Sequence, residues 1–95
     1  MATYIILSTL SPQAFEDPKQ FKEVAQKVTE KIRQECPGVT WKESYVTLGR
    51  YDIVDIVESD DPVQVERAAL IIRGYGRAQT ETLPARPWSQ FLQSL

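Results

Sequence analysis

DPKQFKEVAQKV at residues 17–28 recurs 44 positions later as DPVQVERAALII at residues 61–72. In each stretch an aspartate stands where a helix N-cap accepts free backbone N–H groups, and proline follows at the first helical position. A glutamine comes three residues after each aspartate, the place of a capping-box partner. Phe21, Val24, Ala25, Val28 and Ile32 then fall at three- and four-residue spacing, as do Val65, Ala68, Ala69 and Ile72, giving each helix one apolar stripe. Pro37-Gly38 ends the first helix and Gly74 to Gly76 the second. Two helices launched and striped alike are what two related βαβ halves would show.

The remaining segments read as strands. Tyr4, Ile5, Ile6 and Leu7 stand in a row within Thr3 to Thr9, as in a central strand buried on both faces. Thr40 to Leu48 and Tyr51 to Glu58 are rich in β-branched and aromatic residues. Gly49-Arg50 between them suits a type II′ turn. That turn sets Leu48 opposite Tyr51, Val46 opposite Ile53, Ser44 opposite Asp55 and Lys42 opposite Val57. Ala78 to Thr82 is a short fourth strand, with Pro84 and Pro87 expected to stop its pairing.

The order strand, helix, strand, strand, helix, strand predicts an α+β, ferredoxin-like βαββαβ fold. Its four-stranded antiparallel sheet carries helices on one face. The other face, with Tyr51, Ile53, Val46 and Leu48, would be an apolar patch that a soluble monomer rarely keeps, so a homo-oligomer, a dimer or higher even assembly, is expected. After the domain at 1–83, the tail at 84–95 places Trp88, Phe91, Leu92 and Leu95 at helical spacing. So short a helix must dock, on its own domain or on a partner subunit.

Composition narrows the function. The 95 residues are 42% hydrophobic and 25% charged, ordinary for a folded domain, and the net charge of −2 supplies no basic field for nucleic acid or an anionic membrane. No apolar run approaches a membrane span and no leader pattern opens the chain, so a cytoplasmic location is expected. Cys36 is the only cysteine and there is no histidine. Disulfides within the chain and histidine-based nucleophile systems are thereby excluded, and any chemistry rests on carboxylates, Tyr, Lys or Arg. No metal-ligand spacing is present and no cofactor is expected; the acidic run Glu58 to Asp61 consists of adjacent residues that do not converge on one ion.

Gly49-Arg50-Tyr51-Asp52-Ile53-Val54, the following Val57-Glu58-Ser59-Asp60-Asp61 and the later Arg77-Ala78-Gln79-Thr80-Glu81-Thr82-Leu83 resemble the GYD family, named for a Gly-x-Tyr-Asp hairpin. The resemblance spans about Thr3 to Leu83 and implies a dimeric α+β barrel in which two open sheets face each other. Relatives on that barrel include small monooxygenases, isomerases and heme-degrading proteins. The resemblance brings no catalytic residues, and the tail and Ala78 depart from the family pattern.

Asp55 interrupts the apolar run of a strand that should be central, and a buried carboxylate needs partners or a shifted pKa. In a cleft with Ser44, Tyr51 and Lys42 it could bind a ligand's polar group or act as a general base. Otherwise it pairs with Lys42 across a dimer interface or is solvated. Asp52 reads as a turn residue bonding local backbone donors. Arg73 and Arg77 flank a helix stop and either hold an anion or settle the helix C-terminus. The leading reading is a homodimeric small-molecule-binding or accessory protein with its ligand in the inter-sheet cleft. The alternatives are a cofactor-independent monooxygenase or isomerase and a regulatory ligand-binding module.

Overall fold

A computed structural model describes residues 1–95, apart from the side chain of Phe15. The elements run β1 (Ala2–Leu10), a 3-10 turn (Pro12–Phe15), α1 (Pro18–Glu35), β2 (Val39–Val46), β3 (Ile53–Ser59), α2 (Pro62–Tyr75), β4 (Ala78–Ala85) and α3 (Trp88–Ser94). Both aspartates cap as expected. Asp17 accepts from the amides of Lys19 and Gln20 at 3.1 and 3.4 Å, and Asp61 accepts from the amide of Val63 at 3.0 Å. The second glutamine has a different task from closing a capping box. Gln64 donates to Asp61 Oδ2 at 3.2 Å and accepts the Gly38 amide at 2.7 Å, tying the α1–β2 connection to the head of α2.

The sheet order is β2-β3-β1-β4, with every neighbouring pair antiparallel. β1 is central, and its alternate residues part to two faces. Ile6 sits opposite Asp55 and Tyr4 opposite Val57 on the helix side, where Ile6, Val57, Val65, Ala68 and Cys36 form the innermost core. Ile5 opposite Ile56 and Leu7 opposite Val54 lie on the side without helices, joined by Tyr45 and Leu83 from the flanking strands. The uncovered apolar face is therefore made by Ile5, Leu7, Tyr45, Val54, Ile56 and Leu83. Ile53 belongs to the helix side, contrary to the grouping expected from the sequence, because β3 alternates from Asp55, whose partner Ile6 is buried.

Three local readings are corrected. No glycine has a positive φ; the left-handed residue of the β2–β3 connection is Leu48, at φ 50°, so Gly49 does not open a type II′ turn. The ladder also slips between Trp41 and Glu43, a β-bulge that sets Trp41, not Lys42, opposite Val57. Finally, Pro84 does not stop β4, which continues to Ala85 with Pro84 opposite Tyr4. On an edge strand the missing N–H can face outward at no cost to the ladder.

The two helices sit differently on the sheet. α2 buries Val65, Ala68, Ala69, Ile71 and Ile72, whereas α1 buries only Ile32. The tail forms its helix, but Trp88 and Leu95 are 71% and 87% exposed and no residue of α3 is buried, so it is not docked on its own domain.

Candidate functional site

Because α1 is seated on the sheet only toward its C-terminal end, its first turns leave a cavity of about 810 Å³ beneath them. That volume lies within the range of small-molecule sites. Phe21, Val24 and Val28 of α1 wall it on one side, facing Ser8, Ser44 and Asp55 on the sheet. The register explains this polar floor. Ile6 stands opposite Asp55 and Ser8 opposite Ile53, so Ser8 and Asp55 are diagonal neighbours on one face of the central strands, while Ser44 is directly opposite Asp55 on β2.

Asp55 is only 6% exposed. Ser44 Oγ donates to its Oδ1 at 2.6 Å and Trp41 Nε1 donates to the same oxygen at 3.1 Å, with a second contact from Nε1 to Ser44 Oγ at 2.9 Å. Burial raises the Asp55 pKa from its ordinary value of 3.8, because the charged form loses hydration; the Ser44 and Trp41 hydrogen bonds pull in the opposite direction. Ser8 Oγ is buried and has no hydrogen-bond partner. Such an orphan polar atom is uncommon in a folded chain.

The bulge at Lys42 makes the Trp41 contact possible. Strict alternation would send Trp41 and Ser44, three residues apart, to opposite faces of the sheet. The extra residue returns Trp41 to the face of Ser44 and Asp55. Of the four residues singled out from the sequence, the structure brings Asp55 and Ser44 into contact and separates the other two. Tyr51 donates from its hydroxyl to Glu81 Oε2 at 3.2 Å, and Lys42 Nζ lies 3.9 Å from Glu58 Oε1; both acidic partners stand on the uncovered face. Trp41 and Ser8 were missed. Trp41 reads from the sequence simply as a strand former, and Ser8 lies in a strand whose neighbours give no cue.

Other polar residues are structural. Asp52 Oδ2 accepts the Leu10 amide at 2.7 Å and its own amide donates to Ser8 O at 2.8 Å, so its side chain fastens the hairpin to β1 across the chain instead of bonding local donors of the turn. Arg73, the basic residue in the last turn of α2, donates to Thr80 Oγ1 and to Thr80 O, each at 2.9 Å, and so also joins α2 to β4. Among the described residues no acidic or cysteine cluster could hold a metal ion, and no helix is long and apolar enough to cross a membrane.

The class is thus a ferredoxin-like α+β protein with a one-sided sheet and a polar-floored cavity under its first helix. Solved structures share the fold. The Mycobacterium tuberculosis leucine response regulatory protein LrpA superposes with a TM-score of 0.59 at 15% identity, covering 90% of this chain, which spans 51% of that one. FFRP-DM1 superposes with a TM-score of 0.53 at 27% identity over 90% of this chain and 100% of that one. The chain belongs to the GYD family, whose domain model matches residues 4–95, the tail included. It is also 35% identical over 99 aligned positions, covering 100% of this chain and 99% of the relative, to the Thermus thermophilus glutamine synthetase and cystathionine beta-lyase binding protein.

Proposed function

We propose that this chain is a homodimeric accessory protein that binds enzymes of glutamine and sulfur amino-acid metabolism in the cytoplasm. The observation that carries the reading is the uncovered face of Ile5, Leu7, Tyr45, Val54, Ile56 and Leu83, to which no helix of the chain is applied. A continuous apolar surface of this kind marks a protein interface. A second copy is the partner that matches it across the whole sheet, and two sheets face to face pack about 10 Å apart. The choice of enzymes is supported by the full-length relation to the Thermus protein, which is named for binding glutamine synthetase and cystathionine beta-lyase.

Light scattering on purified protein tests the dimer, and co-sedimentation with the source organism's own two enzymes tests the partners. Wild type is expected as a dimer that carries at least one enzyme with it. Ile56→Glu, which places a charge in the centre of the face, is expected as a monomer. A monomeric wild type removes the first half of the proposal, and failure to bind either enzyme removes the second.

A second reading, general-base chemistry by Asp55 on a small organic substrate, is favoured by one observation: its burial, which raises the pKa and makes a stronger base. Turnover of a candidate substrate that survives Asp55→Asn unchanged would eliminate it.

A further inference from the structure

We infer that the cavity under α1 is a binding site for a small apolar molecule carrying a protonated amine, which enters head first and sets its ammonium on Asp55 Oδ2. This goes beyond the dimer and its enzyme partners, since the cavity lies on the opposite side of the sheet from the proposed interface.

Two features of the site converge. The cavity is ligand-sized, and its α1 wall presents Phe21, Val24 and Val28, suited to an aliphatic or aromatic body. At the floor both donors to Asp55 go to Oδ1, leaving Oδ2 for a further donor. An ammonium offers N–H groups and no acceptor, which fits a carboxylate oxygen that lacks a donor.

Charge decides between candidate head groups. A neutral donor would leave the buried carboxylate without a counter-charge, and an anion would meet Asp55 with repulsion. A cation restores the balance that burial removed. Arg33 and Arg77 also line the cavity, but both are exposed, where solvent and salt screen them.

Three probes that share one aromatic body test the inference: 2-phenylethylamine, 2-phenylethanol and 3-phenylpropionate, titrated into the full-length protein while amide chemical shifts are followed by NMR. The amine is expected to bind most tightly and to shift residues of β1, β2, β3 and the first turns of α1. Asp55→Asn should weaken the amine roughly tenfold or more while changing the alcohol by less than about threefold, because only the amine loses a charged partner. Ala25→Trp, which fills the cavity from an exposed position on α1, should abolish binding of all three. The inference is overturned if no probe binds, if the carboxylate binds as tightly as the amine, or if Asp55→Asn affects amine and alcohol alike. Shifts confined to the uncovered face would overturn it as well and would assign the binding to the interface.

Discussion

α1 and α2 begin with the same Asp-Pro device and carry apolar residues at matching positions, yet only one is fully seated. Ala69 and Ile72 of α2 are buried, whereas their counterparts 44 positions earlier, Ala25 and Val28, are exposed and half-buried. The difference lies in what each helix meets. α2 brings small residues, Ala68 and Ala69, close to the sheet and packs against β4, so its larger Val65, Ile71 and Ile72 reach the core. The first turns of α1 stand instead over a floor in which Ser8, Ser44 and Asp55 interrupt the apolar Leu10, Trp41 and Ile53. An amphipathic stripe thus specifies which side of a helix turns inward, and the surface beneath decides how far it descends.

The contrast can be broken most severely at the counterpart pair Ile72 and Val28. Ile72→Ala should cost about 2–4 kcal/mol by urea unfolding, since it leaves a hole in close-packed core. Val28→Ala should cost under about 1 kcal/mol, as its side chain already borders open space. Equal losses would mean that α1 closes on the sheet in solution.

A smaller effect is expected at Ala69 and Ala25. Ala69→Leu should destabilise by about 1–3 kcal/mol through overpacking. Ala25→Leu should lie within about 0.5 kcal/mol of wild type. A costly Ala25→Leu would show the cavity to be narrower than 810 Å³.

The smallest effect sharpens the comparison from the floor of the cavity. Burial raises the Asp55 pKa, so the folded chain holds that proton more firmly than the unfolded chain does. The stability this proton linkage gives is full below the unfolded value, near 3.8, and is lost as pH rises through the higher folded value. Asp55→Asn removes the dependence. Its stability relative to wild type should climb as pH rises above the unfolded value and level off above the folded one. Parallel pH profiles for the two proteins would show that Asp55 is not desolvated.

The element order and both helix caps were legible from short-range rules, because caps and stripes are decided within a few residues. Asp55 and Ser44 were legible as a facing pair because the hairpin keeps Val46 opposite Ile53 whichever residue turns the chain. What escaped depends on contacts made elsewhere. Nothing near Lys42 announces a bulge, and without it Trp41 falls on the wrong face. Leu48 rather than neighbouring Gly49 takes the left-handed conformation, with Asp52 O accepting from the amides of both Thr47 and Leu48. Ser8 is ordinary in sequence and notable only because no partner reaches it. The composition of the uncovered face was misjudged by reading the hairpin alone; β1 fixes it, through Ile5 and Leu7.

The same bulge and the proline of β4 bear on how the molecule can grow. β2 and β4 are the two rims of the sheet, and each is a poor template for a further strand: one is kinked beside Lys42 and Glu43, the other lacks a donor at Pro84. Strand-by-strand addition would build an open ribbon without limit. With both rims blunted, the broad face is the surface left to the proposed dimer, in which one copy would cover another and assembly would terminate.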